Sequence, residues 1–197
     1  MQDAPFSQAC ENNKAPILDV LHRVFKDASQ ALEIGSGTGQ HAVHFAPQLP
    51  HLIWQPSDRE CNIPGINYWL ERQPASNLRS PIILDVSQDI WPYADAIFSA
   101  NTAHIMSWPL VEKTFAQVGS TLPSGGTFAL YGPFNYKGTY TSDSNKMFDH
   151  MLKERGLNQG IRDFEAVNAL AEAAKLKLME DNPMPANNRL LVWEKNV

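Results

Sequence analysis

Apolar positions along the chain change period repeatedly, and the changes mark out its elements. Residues 15–26, APILDVLHRVFK, space Ile17, Leu18, Leu21, Val24 and Phe25 as one face of a helix, with Pro16 suited to its first turn. Residues 30–34 form a short apolar run that stops at Gly35, the pattern of a buried strand. The next stretch, GQHAVHFAPQL, spaces Ala42, Phe45 and Ala46 for a short helix, leaving His41 and His44 expected on a solvent face. HLIWQPSD predicts a second strand ending near Asp58, and PGINYWLERQ a helix entered through Pro64. PIILDVS and ADAIFSAN predict strands three and four, ending at Asp85 and Asn101. WPLVEKTFAQVGSTL puts Leu110, Val111, Phe115 and Val118 on one helical face. GTFALYGPF predicts a fifth strand, and RDFEAVNALAEAAKL a helix capped by Asp163. The tail, KLMEDNPMPANNRLLVWEK, reads as two strands around a Pro/Asn turn.

Strands alternating with helices predict an α/β fold: a Rossmann-like, doubly wound, mostly parallel sheet closed by a C-terminal antiparallel hairpin. Such sheets take ligands beyond the C-terminal ends of their strands, where strand order reverses. Residues 134–162 are the long departure from the alternation and are expected to form a substrate lid of loop plus helix. The whole of 1–197 is expected to be one domain.

Composition narrows the picture. Hydrophobic residues make up 43% of the 197 and charged residues 19%, a balance able to fill one core. The formal net charge is −5 and no basic stripe is visible, which argues against a nucleic-acid groove. No run approaches the roughly 18 apolar residues of a membrane span. Two cysteines, Cys10 and Cys61, form no CxxC motif, so a reducing, cytoplasmic setting is expected.

The chemistry-bearing stretch is ALEIGSGTGQH, residues 31–41. It has no phosphate-loop lysine, and Gln40 stands where a dinucleotide fingerprint wants a small residue. The spacing is G-x-G-x-G, with Glu33 two residues ahead. An acid there repels a pyrophosphate and suits a ligand carrying positive charge. Asp58, about twenty residues after the loop, can accept both hydroxyls of a ribose. Asp85 can accept from an exocyclic amine while the Val86 amide donates to a ring nitrogen, a pair suited to an adenine edge. Asn101 offers a donor and an acceptor. Each acid is individually also a common cap or turn residue; the set favours ligand binding.

LEIGSGTG, Asp58, LDVS (84–87) and FSAN (98–101) together resemble the class I S-adenosylmethionine-dependent methyltransferases. SQACENNKAPILDVL, YGPFNYKGTYTSDSN and GIRDFEAVNALA are similar to a small methyltransferase-like family that brings no established substrate. The resemblance implies a seven-stranded sheet and S-adenosylmethionine as cofactor; the methyl acceptor is expected to be a small molecule, with a protein side chain left open. It implies Glu33 at the methionine ammonium, Gly35, Ser36 and Gly37 along the methionyl and ribose parts, and Asp58 with Arg59 at the ribose. Asp85 and Val86 are then expected at the adenine and Asn101 at the methionyl end. Residues 1–14 are expected to cover the cofactor, with Asn12 and Lys14 touching it.

His104 and Tyr136 are the candidate catalytic residues, with His104 as general base, because an unperturbed imidazole titrates near neutrality. For His104 a packing role is at least as good a reading, and Tyr136 can equally be a packing or lid residue. No metal is expected. No N-P-P-Y follows strand four, where the chain reads SANTAHIM, which weakens nucleobase-amine or glutamine methylation. Two alternatives stand: a cofactor-binding regulatory module without turnover, and a nicotinamide-dependent oxidoreductase, disfavoured by Gln40 and Glu33.

Overall fold

The computed structural model describes residues 5–88, 90–156 and 158–196, so residues 1–4 of the expected N-terminal cover lie outside the described residues. Five strands run parallel: β1 (Gln30–Ile34), β2 (Ile53–Asp58), β3 (Ile82–Ile83), β4 (Ala96–Ala100) and β5 (Thr127–Gly132). Two further short strands, β6 (Phe134–Asn135) and β7 (Arg162–Asp163), pair only with each other. The C-terminal hairpin, β8 (Leu176–Met184) and β9 (Asn188–Lys195), adds to the main sheet by antiparallel pairing of β9 with β5. The order across the seven-stranded sheet is β3-β2-β1-β4-β5-β9-β8. Strand order therefore reverses between β1 and β4, and their C-terminal ends frame the crevice where such sheets take ligands.

Period-2 alternation assigns each strand residue to a face. Leu32 and Ile34 of β1 join Ile97, Phe128 and Trp193 against α4 (Trp108–Thr121) and α6 (Phe164–Ala173). Ala31 of β1 joins Phe98 and Tyr131 on the other face, against α1 (Gln8–Val24) and α2 (Gln40–Gln48). There Phe45, Trp54 and Phe98 meet edge-on or tilted, with centroids 5.5–5.9 Å apart. Fully burying a ring such as Phe45 or Phe98 contributes roughly 1.5–3 kcal/mol over leaving it exposed. α3 (Ile63–Arg72) follows β2, and α5 (Asp143–Arg155) lies within the long excursion between β6 and β7.

Three expectations are adjusted. Helix α1 begins at Gln8, not near Pro16, because Ser7 caps it: its hydroxyl accepts from the Cys10 amide at 3.4 Å. The first turns are polar and carry no apolar period, so the sequence pattern hides them. Strand β3 keeps only two residues of the run PIILDVS. Beyond Leu84, the Asp85 carboxylate accepts from the Ser87 amide at 2.8 Å, a local turn that competes with the ladder at this sheet edge. The excursion 134–162 starts and ends on the paired strands β6 and β7, so it returns to its origin with α5 between.

Candidate functional site

A cleft of about 530 Å³ opens at the β1/β4 reversal. The glycine loop, Asp58, Arg59, Asp85, Val86 and Asn101 all line it, so chain segments far apart in sequence converge on one place. Gly37 has φ +58°, and a Cβ built on it would meet open space. The loop backbone thus faces the cleft bare, as close approach of a ligand requires. Gly35 answers a different need: a Cβ there would sit 2.7 Å from Cγ2 of Thr102 in the loop after β4. Ser99 completes the seam, its hydroxyl 2.8 Å from the Ile34 carbonyl and 2.7 Å from the Thr102 hydroxyl.

Asp58 is 7% exposed. One carboxylate oxygen accepts from the Gly37 amide at 2.7 Å; the other accepts from the Arg59 amide at 2.7 Å and the Asn62 side-chain amide at 2.9 Å. Three of its roughly four acceptor positions are thereby engaged by the protein itself. It braces the glycine loop against the end of β2 and keeps limited capacity for a hydroxyl. Asp85 is half-buried at the rim, and its ionised form is favoured by its hydrogen bonds to Ser87. Asn101 follows β4 with φ 58°, a conformation asparagine tolerates, and its amide donates to the Tyr131 carbonyl at 2.9 Å.

Glu33 is not a wall of the cleft. Alternation along β1 turns it toward α1 and α2, where Nε1 of Trp54 donates to it at 3.0 Å and only 1% of it is exposed. Burial pushes its carboxyl up to about 7, against the opposing hydrogen bonds from Trp54 and Ser36. Its charge can reach a ligand only through the loop above it. Asn12 and Lys14 also lie off the cleft: Asn12 is exposed and accepts from the Gln8 amide at 2.9 Å, and Lys14 pairs with Glu11. The N-terminal residues that do line the cleft are Ser7 and Cys10. Burial pushes the Cys10 thiol up, so it stays protonated.

Gln40 holds that segment down. Its side-chain oxygen accepts from the Ser7 amide at 2.6 Å and the Thr38 hydroxyl at 3.0 Å, and its nitrogen donates to Glu11 at 2.6 Å. Trp69 adds a second tie, donating to the Pro5 carbonyl at 2.7 Å.

The two candidate catalytic residues are placed elsewhere. His104 is buried against Phe148, ring centroids 5.4 Å apart, and does not line the cleft. Burial, aided by the nearby Arg162 charge, pushes it down to about 4, so it is neutral at pH 7 and poorly suited to take a proton. Tyr136 donates to Asp181 at 2.8 Å and stacks on Phe164, beside the C-terminal hairpin; burial and Asp181 push its phenol upward. Its ring is part of the packing that anchors the excursion.

His41, expected toward solvent, is buried and lines the cleft instead. Its Nε2 lies 2.7 Å from the Asn13 side-chain oxygen Oδ1, its ring stacks on Phe45, and burial pushes it down to about 4. Sequence reasoning also missed Ile105, Met106, Leu110 and Gln159, which line the cleft beyond β4. Ser7 had a signal, since a serine before a helix is a standard cap; Gln159 had none, because only the folded excursion brings it there. Among the described residues, no group of three or more His, Cys, Asp or Glu is arranged to hold a metal ion. Nor, among them, is any helix long and apolar enough to cross a membrane.

The fold is shared with solved structures of S-adenosylmethionine-dependent methyltransferases. Residues 4–195 match the family described as Protein of unknown function (DUF938), and the chain belongs to that family. Solved structures with the same fold include an O-methyltransferase family 2 protein from Planctomyces limnophilus in complex with apigenin. It has a TM-score of 0.83 at 21% identity, over 95% of this chain and 58% of that one. An O-methyltransferase family protein from Burkholderia thailandensis has a TM-score of 0.82 at 12% identity, over 93% and 56%. Human N-acetylserotonin methyltransferase, in complex with S-adenosylmethionine, has a TM-score of 0.75 at 13% identity, over 93% and 55%. The chain thus spans a little over half the length of these proteins.

Proposed function

We propose that the protein transfers a methyl group from S-adenosylmethionine to a small-molecule acceptor. The observation that carries this reading is the convergence of the bare Gly37 backbone, Asp58 and Asp85 on one cleft at the strand-order reversal. The residues present fit such a nucleoside with an amino-acid tail. Asp58 has one acceptor position left for a ribose hydroxyl, and the rim carboxylate of Asp85 with the Val86 amide suits an adenine edge. Gly37 leaves room for the tail beside Ser36 and Asn101, and Ser7 and Cys10 close over the loop. Bound there, S-adenosylmethionine supplies a methyl carbon already activated by positive sulfur, whose bond electrons return to sulfur as an acceptor lone pair takes the methyl group. The protein's part is then alignment and exclusion of water.

The carboxylates add a preference for a cationic ligand, since Asp58 and Asp85 line the cleft with Glu33 beneath it. Titration calorimetry tests the reading. S-adenosylhomocysteine should bind and NAD should not, and methyl-labelled S-adenosylmethionine should label a component of a metabolite panel. Binding of NAD in preference would overturn the proposal; tight S-adenosylhomocysteine binding with no labelling would favour a regulatory module.

A further inference from the structure

Charge is distributed unevenly around the cleft. Among the described residues, its charged side chains, Asp58, Arg59 and Asp85, come from the ends of β2 and β3. Beyond β4 the described lining is Thr102, Ile105, Met106, Ser107, Leu110 and Gln159, all uncharged. Ile105 is 50% exposed, an apolar side chain left half in water at the mouth of a cleft. A charged molecule seated here would lose hydration with no countercharge on this wall, whereas an apolar one would cover Ile105 and gain. Met106 adds a polarisable surface suited to a flat ring.

This wall is held by an unusual clamp. Arg162, at the start of β7, donates from Nε to the Ala103 carbonyl at 3.0 Å, and from Nη2 to the Met106 carbonyl and, at 2.7 Å, the Asn158 carbonyl. Its guanidinium carbon lies 5.9 Å from the Trp108 ring centroid. Alongside, the Gly160 amide donates to the His104 carbonyl at 2.9 Å. Those side-chain bonds all end on backbone carbonyls, so the charge serves to fix two chain segments to each other. The segments are the loop carrying Ile105 and Met106 and the end of the excursion carrying Gln159.

We infer that the wall formed by Ile105, Met106, Leu110 and Gln159 is the acceptor subsite, that it takes an uncharged, apolar, ring-sized molecule, and that Arg162 is the positioning residue that keeps its two halves together. The inference rests on the methyl-transfer reading and names the substrate class that reading leaves open. Arg162 acts through the backbone it holds and does not itself touch the acceptor.

The test uses the full chain saturated with S-adenosylhomocysteine, with 2-naphthol as an uncharged probe and 2-naphthalenesulfonate as its anionic counterpart, followed by fluorescence. The expected result is binding of 2-naphthol at least tenfold tighter than the sulfonate. Ile105→Asp should weaken 2-naphthol at least tenfold while S-adenosylhomocysteine affinity stays within twofold. Arg162→Met should have the same selective effect, with Arg162→Lys recovering part of it, since an ammonium can still donate to carbonyls; circular dichroism checks that both variants fold. No binding of 2-naphthol, equal binding of the two probes, or an unchanged affinity in Ile105→Asp would overturn the inference while leaving the cofactor reading intact. Failure of the wild-type protein to bind S-adenosylhomocysteine would instead remove the cofactor reading, and the acceptor subsite with it.

Discussion

Asp58 and Asp85 carry the same sequence signal, an acid at the tip of a parallel strand, yet the fold treats them differently. Asp58 ends a six-residue interior strand, is nearly buried, and is bonded to the loop it faces. Asp85 follows a two-residue edge strand and stays at the rim, bonded within its own turn. In the proposed reading the first carboxylate is both architecture and ligand group, and the second is free to be a ligand group alone. Loss of Asp58 should therefore damage stability and binding together, and loss of Asp85 binding only.

The largest effect is expected from Asp58→Asn. The amide must turn a donor toward amides that already donate, leaving at least one unsatisfied at a cost of about 1–3 kcal/mol. Chemical denaturation should show that loss, and calorimetry a drop in S-adenosylhomocysteine affinity of at least a hundredfold. Asp85→Ala should lower affinity about tenfold, the scale of one hydrogen bond to a charged group, with stability within about 0.5 kcal/mol of wild type. Equal stability losses in the two variants would break the distinction.

Gln40→Ala sharpens the contrast from the other side of the loop. It removes the bonds to Ser7 and Glu11, so limited proteolysis should cut sooner between residues 5 and 14, and affinity should fall several-fold.

A pH dependence is also expected. The Glu33 carboxyl is raised from 4.5 to about 7, so the folded state holds a proton the unfolded state has released between those values. Its contribution to stability falls as pH rises through that window and is flat above it. His41 and His104 are lowered to about 4, so their contributions rise with pH up to about 6.5. Thermal unfolding of Glu33→Gln should therefore show a steeper gain below pH 6.5 than wild type, and should lack the wild-type decline between pH 6.5 and 7. A cationic ligand favours ionised Glu33, so S-adenosylmethionine should gain affinity relative to net-neutral S-adenosylhomocysteine as pH rises through 7.

The parallel strands are legible because β1, β4 and β5 are buried on both faces and read as short, mostly apolar runs. The edge strand β3 was overextended because IILDV looks the same whether or not a neighbour pairs with it. β6 and β7 were invisible, since two-residue strands exist only through the contact that joins them. Among site residues, the strand-tip acids were found because topology alone brings such positions together. The orientation of Glu33 is written in the local alternation: Leu32 and Ile34 claim one face of β1, which leaves Glu33 the other. His41, Arg162 and Gln159 depend on packing between segments distant in sequence, and no local pattern encodes that.

A crystal structure of the protein with S-adenosylhomocysteine tests the central claim most directly. The expected result places a ribose hydroxyl within hydrogen-bonding distance of Asp58, the adenine beside Asp85 and Val86, and the amino-acid tail over Gly37. Density for the ligand elsewhere, or a cleft that stays empty at saturating ligand, would contradict it.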